Sequence, residues 1–577
     1  MQRSRSPFRD HSSIDSGRRI AATALAPGGF CARSVLSLLV CACVLSACNG
    51  DGDGPGPGAE EPKLAVCGAA VSSAVPQAVF VSTTGSDDSG CGTTTASACK
   101  SLQQGIDNCA APGCAVFMRH GLYATSATIN LRDGISVHGS CRFDGEADHQ
   151  YRTVINAAPA PGTAAVGAAG VHSPTLFDGI VVLGKDETAG GSASIAMAVS
   201  NSNGLTLKRS VLVAGRGGDG APAGQPSAGA AQGGGQGDAS SFTAGGEGSG
   251  GPSCDAGGIA GRGGDGSARR QNTISGCDRF SLSCYCNEAG GLKGMEGADS
   301  GWVSAGSGGS SGTQGYACYE FPVIRHGTGG PGSTGGPGSA GACSTQLGVA
   351  SAEVWGSFQG ASWLPGAGGM GGSGDVGSGG GGGGPGGMCT LTTSDTREWF
   401  PYWGQPGGGG GAGGCAGPGG PGGQQGGASI VLLLAASSMS LDPALLAIVG
   451  GQGGRGGPGA TGGIGGAGGG GGAGGNAGTN CTQYNAIVNI GWGGPGGPGG
   501  SGGAGGAGSG GAGGNGGPSM GIALVGGSTA PGAGGIYPGT AGTGAGGGTG
   551  GSGGANNCAG VTGQGGTAGG MAVLRTF

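Results

Sequence analysis

The stretch Gly450–Gly474 reads GGQGGRGGPGATGGIGGAGGGGGAG, and the stretch Gly493–Gly517 reads GGPGGPGGSGGAGGAGSGGAGGNGG. In both stretches every third residue is glycine, and the other two positions hold mostly glycine, alanine, proline and serine. A period of three matches a polyproline-II-type helix, which has three residues per turn and rises about 3.1 Å per residue. One side of such a helix is bare backbone. The pattern therefore predicts that neighbouring glycine helices pack closely against one another.

The composition of the whole chain agrees with this interpretation. Glycine contributes 158 of 577 residues but proline only 29, far below the roughly 15–20% proline of a collagen. The same composition is compatible with disorder, but a flexible linker has no reason to keep a strict period. The register also holds at 329–341, 368–386 and 408–426. We therefore predict an ordered bundle of polyglycine-II helices formed within one chain.

An export signal is predicted at the N-terminus. Six arginines precede or flank the apolar run Val35–Leu45, which is too short to span a bilayer but fits the apolar core of a signal peptide. The run ends in Leu45-Ser46-Ala47-Cys48, which resembles the bacterial lipobox. The resemblance implies that residues 1–47 are removed and that Cys48 is lipidated and anchors the protein in a membrane of the cell envelope. The alternatives are ordinary signal cleavage and a buried cysteine at position 48.

Cysteine usage and charge agree with export to the outer membrane or the cell surface. Four of the 20 cysteines lie in the leader up to Cys48, and the other 16 form an even set that suits disulfides in an oxidising compartment. Removal of residues 1–47 would take six of 25 basic and two of 31 acidic residues, which leaves 19 and 29 and a net charge of −10. Nucleic acid is therefore not an expected partner. Residues 48–76 are predicted to form a flexible acidic tether.

Short apolar strands separated by turns recur over residues 77–215. No long helical pattern lies between them, as is typical of a solenoid, and Ser101–Cys109 predicts a short capping helix. The strand pattern SIAMAV at 194–199 returns as SIVLLL at 429–434, and a shorter echo begins at Ser519. We predict that solenoid rungs continue through residues 216–577, with glycine-rich excursions that leave from one position of a rung and return to the next.

The run VFVSTTGSDDSGCGTTTASACKSLQQGID at 79–107, followed by HGLY at 120–123 and DGISVHGSC at 133–141, resembles the start of right-handed parallel β-helix proteins of the pectate-lyase-like superfamily. It is particularly similar to secreted bacterial domains of unknown function. The resemblance implies an all-β solenoid but no single function, because this fold serves lyases, adhesins and inert shafts alike. The glycine-rich part resembles the polyglycine-II bundles of insect antifreeze proteins and the bacterial arrays called PGRS-like.

Disulfides are expected in both parts of the chain. In the first part, Cys91 with Cys99 and Cys109 with Cys114 would close small local loops. Cysteines also lie in or beside the glycine runs, where disulfides would join helices that bury little apolar area. These cysteines are Cys254, Cys343, Cys389, Cys415, Cys481 and Cys558.

The sequence predicts no reaction, no cofactor and no metal site. The six histidines lack metal-ligand spacing, and Cys277, Cys284 and Cys286 favour disulfides over zinc in an exported chain. Three isolated aspartates, Asp219, Asp265 and Asp375, do not fit a calcium-binding repeat. A lyase-like site would use charged residues on or near the rungs, for which solvent-facing turns are the alternative. These candidates are Asp133, Asp178, Lys185, Asp186, Lys208 and Arg209.

One aromatic cluster, Trp399, Phe400, Tyr402 and Trp403, contrasts with the rest of the sequence. If exposed, it would contact a glycan or another cell-surface component; the alternative is a plug that covers the end of the bundle. The leading hypothesis is a non-catalytic structural or adhesive cell-envelope lipoprotein. The second is a polysaccharide-binding or polysaccharide-cleaving β-helix protein. Ice binding is disfavoured, because the positions between the glycines are mixed.

Overall fold

The structure is a computed structural model, and all of the residues it describes lie in one compact unit, Leu64–Phe577. Among them, no helix is long and apolar enough to cross a membrane. The described residues are 75–143, 152–226, 233–239, 244–254, 261–267, 306–308, 315–320, 323–326, 330–386, 389–391, 400–402, 404–442, 447–476, 494–531, 536–537 and 558–577.

The regular secondary structure of the described residues is mostly parallel β-sheet, arranged in three sheets of six strands. The first sheet contains, in spatial order, β1 (Gln77–Val81), β2 (Cys114–Arg119), β5 (Ser136–Cys141), β8 (Thr175–Asp178), β11 (Leu205–Lys208) and β20 (Ser440–Leu441). The second contains β3 (Gly121–Thr125), β6 (Thr153–Ala157), β9 (Ile180–Leu183), β12 (Val211–Val213), β21 (Ala447–Val449) and β23 (Ile536–Tyr537). The third contains β4 (Ile129–Leu131), β7 (Ala164–Ala169), β10 (Ser194–Ser200), β19 (Ser429–Ala435), β22 (Ser519–Val525) and β24 (Met571–Thr576).

Two smaller sheets accompany them. One has four strands, β13 (Gly315–Glu320), β14 (Val323–His326), β17 (Cys389–Leu391) and β18 (Phe400–Tyr402). The other is a hairpin of β15 (Ser357–Gln359) and β16 (Ser362–Leu364). This hairpin packs against the outer face of the third sheet, where Trp363 is buried in an apolar cluster with Ile430 and Leu433.

From β2 to β22, the strands of the three large sheets follow one another along the chain in the order first, second, third, so residues at the same place in successive strands stack in columns. Side chains alternate between the two faces of a strand, and the inward-facing ones of all three sheets join in one core. One column of the third sheet shows the pairing register. It contains Ile129, Val166, Met197, Leu432 and Ile522, all buried.

The first end of the sheets is covered by α1 (Leu102–Asp107) and the loop before it. Ser101 caps the helix, since its side chain accepts the N–H of Gln104. Leu102 and Ile106 are buried, and Gly105 lies so close to β1 that a Cβ atom there would be 2.5 Å from a Val81 methyl group. The predicted capping helix is therefore present. So are the two predicted local disulfides, Cys91–Cys99 and Cys109–Cys114.

The glycine-rich segments leave and rejoin the sheets at fixed places. They follow β12, β21 and β23 of the second sheet, and the chain returns at β19, β22 and β24 of the third. Each excursion thus connects a strand of the second sheet to the next strand of the third sheet. Because successive turns stack, the excursions start side by side and can pair with one another along their length.

Segment 405–427 shows how these segments pair. Its successive residues donate hydrogen bonds in three directions, to three different neighbouring segments, with N···O distances of 2.8 to 3.2 Å. The donor and acceptor pairs are Gly408–Gly497, Gly411–Gly500 and Gly414–Gly503 for the first neighbour, Gly407–Ser267, Gly410–Gly264 and Gly413–Gly261 for the second, and Gly409–Asp238 and Ala412–Gly235 for the third. Every third residue of segment 405–427 therefore donates a hydrogen bond to the same neighbouring segment.

These contacts leave no room for side chains. A Cβ atom on Gly411 would lie 2.1 Å from the carbonyl oxygen of Gly469, and one on Gly414 would lie 2.0 Å from that of Gly466. Backbone atoms cannot move aside as a flexible side chain can, so glycine is required at such positions. Pro418 and Pro421 also lie in this segment, and their carbonyl oxygens accept hydrogen bonds. No donor is needed at these two positions, so the N–H group that proline lacks costs no hydrogen bond.

Two disulfides join glycine-rich segments that are far apart in the sequence. Cys254–Cys415 links residues 161 apart, and Cys343–Cys558 links residues 215 apart. Four of the cysteines predicted to form disulfides beside the glycine runs are therefore paired with one another. Cys389 lies in β17, and Cys481 lies outside the described residues.

Candidate functional site

Three of the six charged candidates lie together on the outer face of the first sheet. The strand register places Phe117 beside His138, His138 beside Asp178, and Asp178 beside Lys208. The intervening residues of these strands face the core, so this row is directed outward. Arg209 follows directly after β11 in a left-handed backbone conformation, with a φ of +46°, which is uncommon for a residue with a side chain.

Asp178 is the centre of this row. It is buried, and Arg209 binds both of its oxygens, with a distance of 2.7 Å from Nε to Oδ1. His138 Nδ1 lies 3.6 Å from Oδ2 of the same carboxylate. Burial by itself would raise the pKa of Asp178, but the hydrogen bonds and charges of His138 and Arg209 outweigh it and lower that pKa to about 2.

This arrangement stabilises the carboxylate and gives it no role in proton transfer near neutral pH. Asp178 stays ionised there, and Arg209 occupies both of its oxygens. The ring of His138 stacks on Phe117, with centroids 5.2 Å apart and planes at 16°. Lys208 is paired with Asp442 at 3.6 Å. Three of the charged candidates are thus brought together, as an ion-pair network that connects successive strands.

The other three candidates connect successive turns. Asp133 accepts the backbone N–H groups of His172 and Ser173 at 2.7 and 2.6 Å, and hydrogen bonds from Ser173 lower the pKa of Asp133 below its usual range. Asp186 accepts the N–H of Arg216 at 2.7 Å. Lys185 donates to the Pro159 carbonyl at 3.1 Å and lies 3.5 Å from the buried carboxylate of Glu187.

Two aspartates that the sequence analysis set aside have a clear structural role. Asp219 pairs with Arg216 and accepts the N–H of Arg455 at 2.8 Å. Asp265 pairs with Arg262 and accepts the N–H of Gly248 at 2.8 Å. The sequence signal is the pentapeptide RGGDG, present at 216–220 and again at 262–266. In a segment with a period of three, residues i and i+3 lie on the same side, which allows the Arg–Asp pair.

The remaining site predictions fall elsewhere. Cys48, Trp399 and Trp403 lie outside the described residues, as do the side chains of Phe400 and Tyr402 in β18, which pairs with β17. The three clustered cysteines Cys277, Cys284 and Cys286 also lie outside them. Within the residues that the structure describes, no group of three or more His, Cys, Asp or Glu side chains could hold a metal ion.

Comparison with known proteins gives only weak structural similarity. The match to a rhamnogalacturonan lyase covers 25% of this chain and 37% of the lyase chain, at 13% sequence identity and a TM-score of 0.19. A pectin methylesterase mutant in complex with a hexasaccharide matches 25% of this chain and 44% of its own, at 15% identity and a TM-score of 0.16. The pectin methylesterase PemA from Erwinia chrysanthemi matches 24% of this chain and 55% of its own, at 13% identity and a TM-score of 0.12.

This chain therefore spans less than two thirds of the length of each of these enzymes, and the TM-scores are too low to carry an argument about function. No protein-family model and no curated protein matches the sequence.

Proposed function

We propose that this protein is a non-catalytic structural or adhesive component of the bacterial cell envelope. The three sheets form a right-handed parallel β-helix, and the glycine-rich segments form a bundle of polyglycine-II helices fixed to one side of it. A lipid on Cys48 attaches the protein to the membrane, and residues 48–76 hold the folded body away from the membrane surface. The partners are the lipid bilayer and other components of the cell surface.

The hydrogen bonds of segment 405–427 carry this proposal. They point in three directions from one extended segment, and each direction repeats every third residue. Three residues per turn is the geometry of the polyproline-II-type helix, and the bare backbone lets several neighbouring segments pack around each such helix. A lattice of this kind packs backbone directly against backbone, which suits a structural part of a protein.

The charged residues support the same proposal. A β-helix lyase would need several charged side chains that converge on one groove. The candidates here instead cap backbone N–H groups or form pairs between neighbouring strands. Binding or cleavage of a polysaccharide is the alternative, and it rests on the sequence resemblance and on the aromatic cluster at 399–403.

Incubation of the purified protein with a panel of acidic and neutral polysaccharides tests the proposal. Pull-down measures binding, and the release of reducing or unsaturated ends measures cleavage. A Trp399→Ala/Trp403→Ala double variant is compared with a Trp302→Ala variant, which removes a tryptophan elsewhere in the chain.

We expect no product from any polysaccharide. Product formation would overturn the structural proposal and direct attention to the charged residues on the sheets. Binding without turnover that is lost only in the double variant would identify an adhesive glycan-binding surface. Absence of both binding and turnover would support a scaffold.

A further inference from the structure

Serine and glycine residues alternate in a column where the glycine-rich segments meet the third sheet. The strands β10, β19 and β22 begin with Ser194, Ser429 and Ser519, which lie beside one another in the pairing register. All three side chains are buried, with at most 1% exposure. Gly215 begins the first glycine excursion, between β12 and β19, and Gly451 begins the second, between β21 and β22. We call these five residues the serine–glycine ladder.

Four hydrogen bonds connect the residues of the ladder. The N–H of Gly215 donates to Ser194 Oγ at 2.9 Å, and Ser429 Oγ donates to the Gly215 carbonyl at 2.8 Å. The N–H of Gly451 donates to Ser429 Oγ at 2.9 Å, and Ser519 Oγ donates to the Gly451 carbonyl at 2.8 Å. The Ser429 hydroxyl is therefore a donor and an acceptor at once. Both polar backbone groups of each glycine are held at the point where its excursion begins.

The ladder joins the two ends of each excursion. Ser429 follows the first excursion and bonds to Gly215, 214 residues earlier, and Ser519 follows the second and bonds to Gly451, 68 residues earlier. Glycine is required at both starting points. A Cβ atom on Gly215 would lie 2.3 Å from the Lys185 carbonyl oxygen, and one on Gly451 would lie 2.4 Å from that of Gly215. The ladder thus fixes the two excursions to the sheets and to each other.

The glycine repeat of the second excursion does not by itself define how this excursion pairs with its neighbours. From 453 to 472, two positions of every triplet are glycine, with Ala460 as the single exception. A displacement by three residues, about 9 Å at the polyproline-II rise, would bring glycine onto glycine and keep nearly all backbone hydrogen bonds. Glycine-rich segments specify their register weakly for this reason. The described residues of this excursion, 450–476 and 494–518, also contain no cysteine that could fix the register.

Two side-chain contacts distinguish the observed register from a displaced one, but both lie at the surface. Asp219 accepts the N–H of Arg455 at 2.8 Å, and Thr461 donates to Gln225 at 2.8 Å. Water competes for exposed groups of this kind. The hydroxyls of the ladder are buried, so their loss takes a partner from backbone groups that water reaches less easily, and this costs more free energy.

We propose that the serine–glycine ladder sets the register in which the second glycine excursion pairs with the first. Gly451 is held through its N–H and through its carbonyl, so the lattice hydrogen bonds that follow begin at a defined residue. The first of these run from Gly454 to the Gly427 carbonyl and from Gly457 to the Gln424 carbonyl, both at 2.8 Å. Later bonds repeat every third residue and inherit the same register. This role does not depend on what the protein binds.

The double variant Ser429→Ala/Ser519→Ala, which releases Gly451, tests the proposal. The amides of Gly454 and Gly457 should exchange at least about tenfold faster than in the wild type, as the loss of buried hydrogen bonds predicts. Hydrogen-exchange mass spectrometry with fragmentation to single residues measures this rate. The amide of Gly410, which bonds within the first excursion, is the internal reference and should keep its rate.

The matched control is Ser437→Ala/Ser528→Ala. These two serines follow the other ends of the same strands, β19 and β22, and their hydroxyls accept the N–H groups of Ser202 and Ser437. The control removes the same number of side-chain hydroxyls from the same two strands, but away from the excursions. It should leave the exchange of the Gly454 and Gly457 amides unchanged. Circular dichroism and the unfolding midpoint check that both double variants fold.

Disulfide cross-links report the register itself. Gln225→Cys/Thr461→Cys joins two positions whose side chains are in contact and should give a cross-link in the otherwise unchanged chain, located by peptide mapping. Gln225→Cys/Ile464→Cys and Gln225→Cys/Pro458→Cys join positions displaced by three residues in either direction and should give none. At least one displaced cross-link should appear when the two ladder serines are replaced by alanine.

Ser519→Ala alone provides a milder test, because it removes only the bond to the Gly451 carbonyl. It should give the same displaced cross-link at lower yield. Unchanged exchange at Gly454 and Gly457 in the ladder variant, an equal increase in the control, or no displaced cross-link in either ladder variant would each overturn the proposal.

Discussion

At the scale of single residues, glycine is required in this protein by space more than by backbone torsion. Gly411 has a carbonyl oxygen 2.1 Å from the place where a Cβ atom would be, and Gly470 in a neighbouring segment has only the Gln236 side chain, at 3.7 Å. The same residue type in the same repeat therefore serves different purposes. Inner positions exclude any side chain, and outer positions tolerate one.

This difference predicts opposite outcomes for two alanine substitutions. Gly411→Ala should lower the free energy of unfolding by about 1–3 kcal/mol or more, because the backbone on both sides must shift to admit a methyl group. Gly470→Ala should be neutral or stabilise by about 0.4–1 kcal/mol, because alanine restricts the unfolded chain. Urea denaturation followed by circular dichroism measures both. Equal effects for the two variants would contradict the packing described for segment 405–427.

The ion pair of Asp178 predicts a dependence of stability on pH. Its pKa falls from 3.8 in an unperturbed carboxyl to about 2 in the fold. A lowered pKa contributes stability that is fully present above the unfolded value and is lost as the pH falls through the folded value. The contribution of Asp178 should therefore be complete above about pH 4 and disappear towards pH 2.

Asp178→Asn tests this expectation. At pH 7 the variant should lose about 1–2 kcal/mol, a value reduced because Arg209 is partly exposed to water. Near pH 2 the wild type and the variant should converge. Asp265→Asn is the control, since Asp265 and Arg262 are both far more exposed than Asp178, so the charge of their pair should contribute less. A difference between wild type and Asp178→Asn that stays constant from pH 7 to pH 2 would exclude the carboxylate as its source.

At the scale of the elements, strands rich in branched residues were predictable and small-residue strands were not. The repeated patterns at 194–199 and 429–434 belong to β10 and β19, which pair with Ser194 beside Ser429 although 235 residues separate them. The strand β7 has the sequence AAVGAA. Alanine and glycine do not favour strands in isolation, and β7 forms because β4 and β10 flank it on both sides.

The candidate site illustrates the same limit. Its charged residues could be named from the sequence, but the pairing of Asp178 with Arg209 depends on a turn of 31 residues and on the left-handed backbone at Arg209. Neither follows from composition or spacing, because consecutive turns differ in length. The RGGDG pentapeptides could have been recognised, since residues three apart lie on the same side of a segment whose contacts repeat every third residue.

The long-range disulfides give a prediction for the glycine segments. Cys343–Cys558 joins segments that bury little apolar area, so the double variant Cys343→Ser/Cys558→Ser should lose about 2–5 kcal/mol. Gly510, Gly513 and Gly516 donate to carbonyls of segment 558–570. Their amides should therefore exchange faster in the variant, as measured by hydrogen-exchange mass spectrometry.

The double variant Cys91→Ser/Cys99→Ser, which opens a local loop, is the control and should leave the exchange of these amides unchanged. Equal loss of protection in both double variants would contradict the local role of Cys343–Cys558.

At the scale of the whole molecule, the sheets and the glycine segments depend on each other. Glycine loses more conformational freedom on folding than any other residue, so a glycine segment needs fixed ends. Each excursion has them, because it starts at a strand of the second sheet and finishes at a strand of the third. The stacked strands thereby set the spacing of the segments. Hydrogen bonds between neighbouring segments then join each excursion to the others.

The proposed lipid on Cys48 would attach the folded protein to a membrane. Cys48→Ser should abolish incorporation of labelled palmitate in an expressing bacterium and shift the protein from the membrane fraction to the soluble or unprocessed fraction. Cys43→Ser is the matched control, because Cys43 lies in the apolar run that would be removed with the signal peptide. Mass spectrometry of the mature N-terminus should give a diacylglyceryl-modified Cys48 in the control and the wild type. A mature chain that begins elsewhere, or membrane attachment that persists in Cys48→Ser, would contradict the anchor. A single acyl chain binds membranes only marginally, and several chains on one residue hold a protein stably, so we expect the full modification at Cys48.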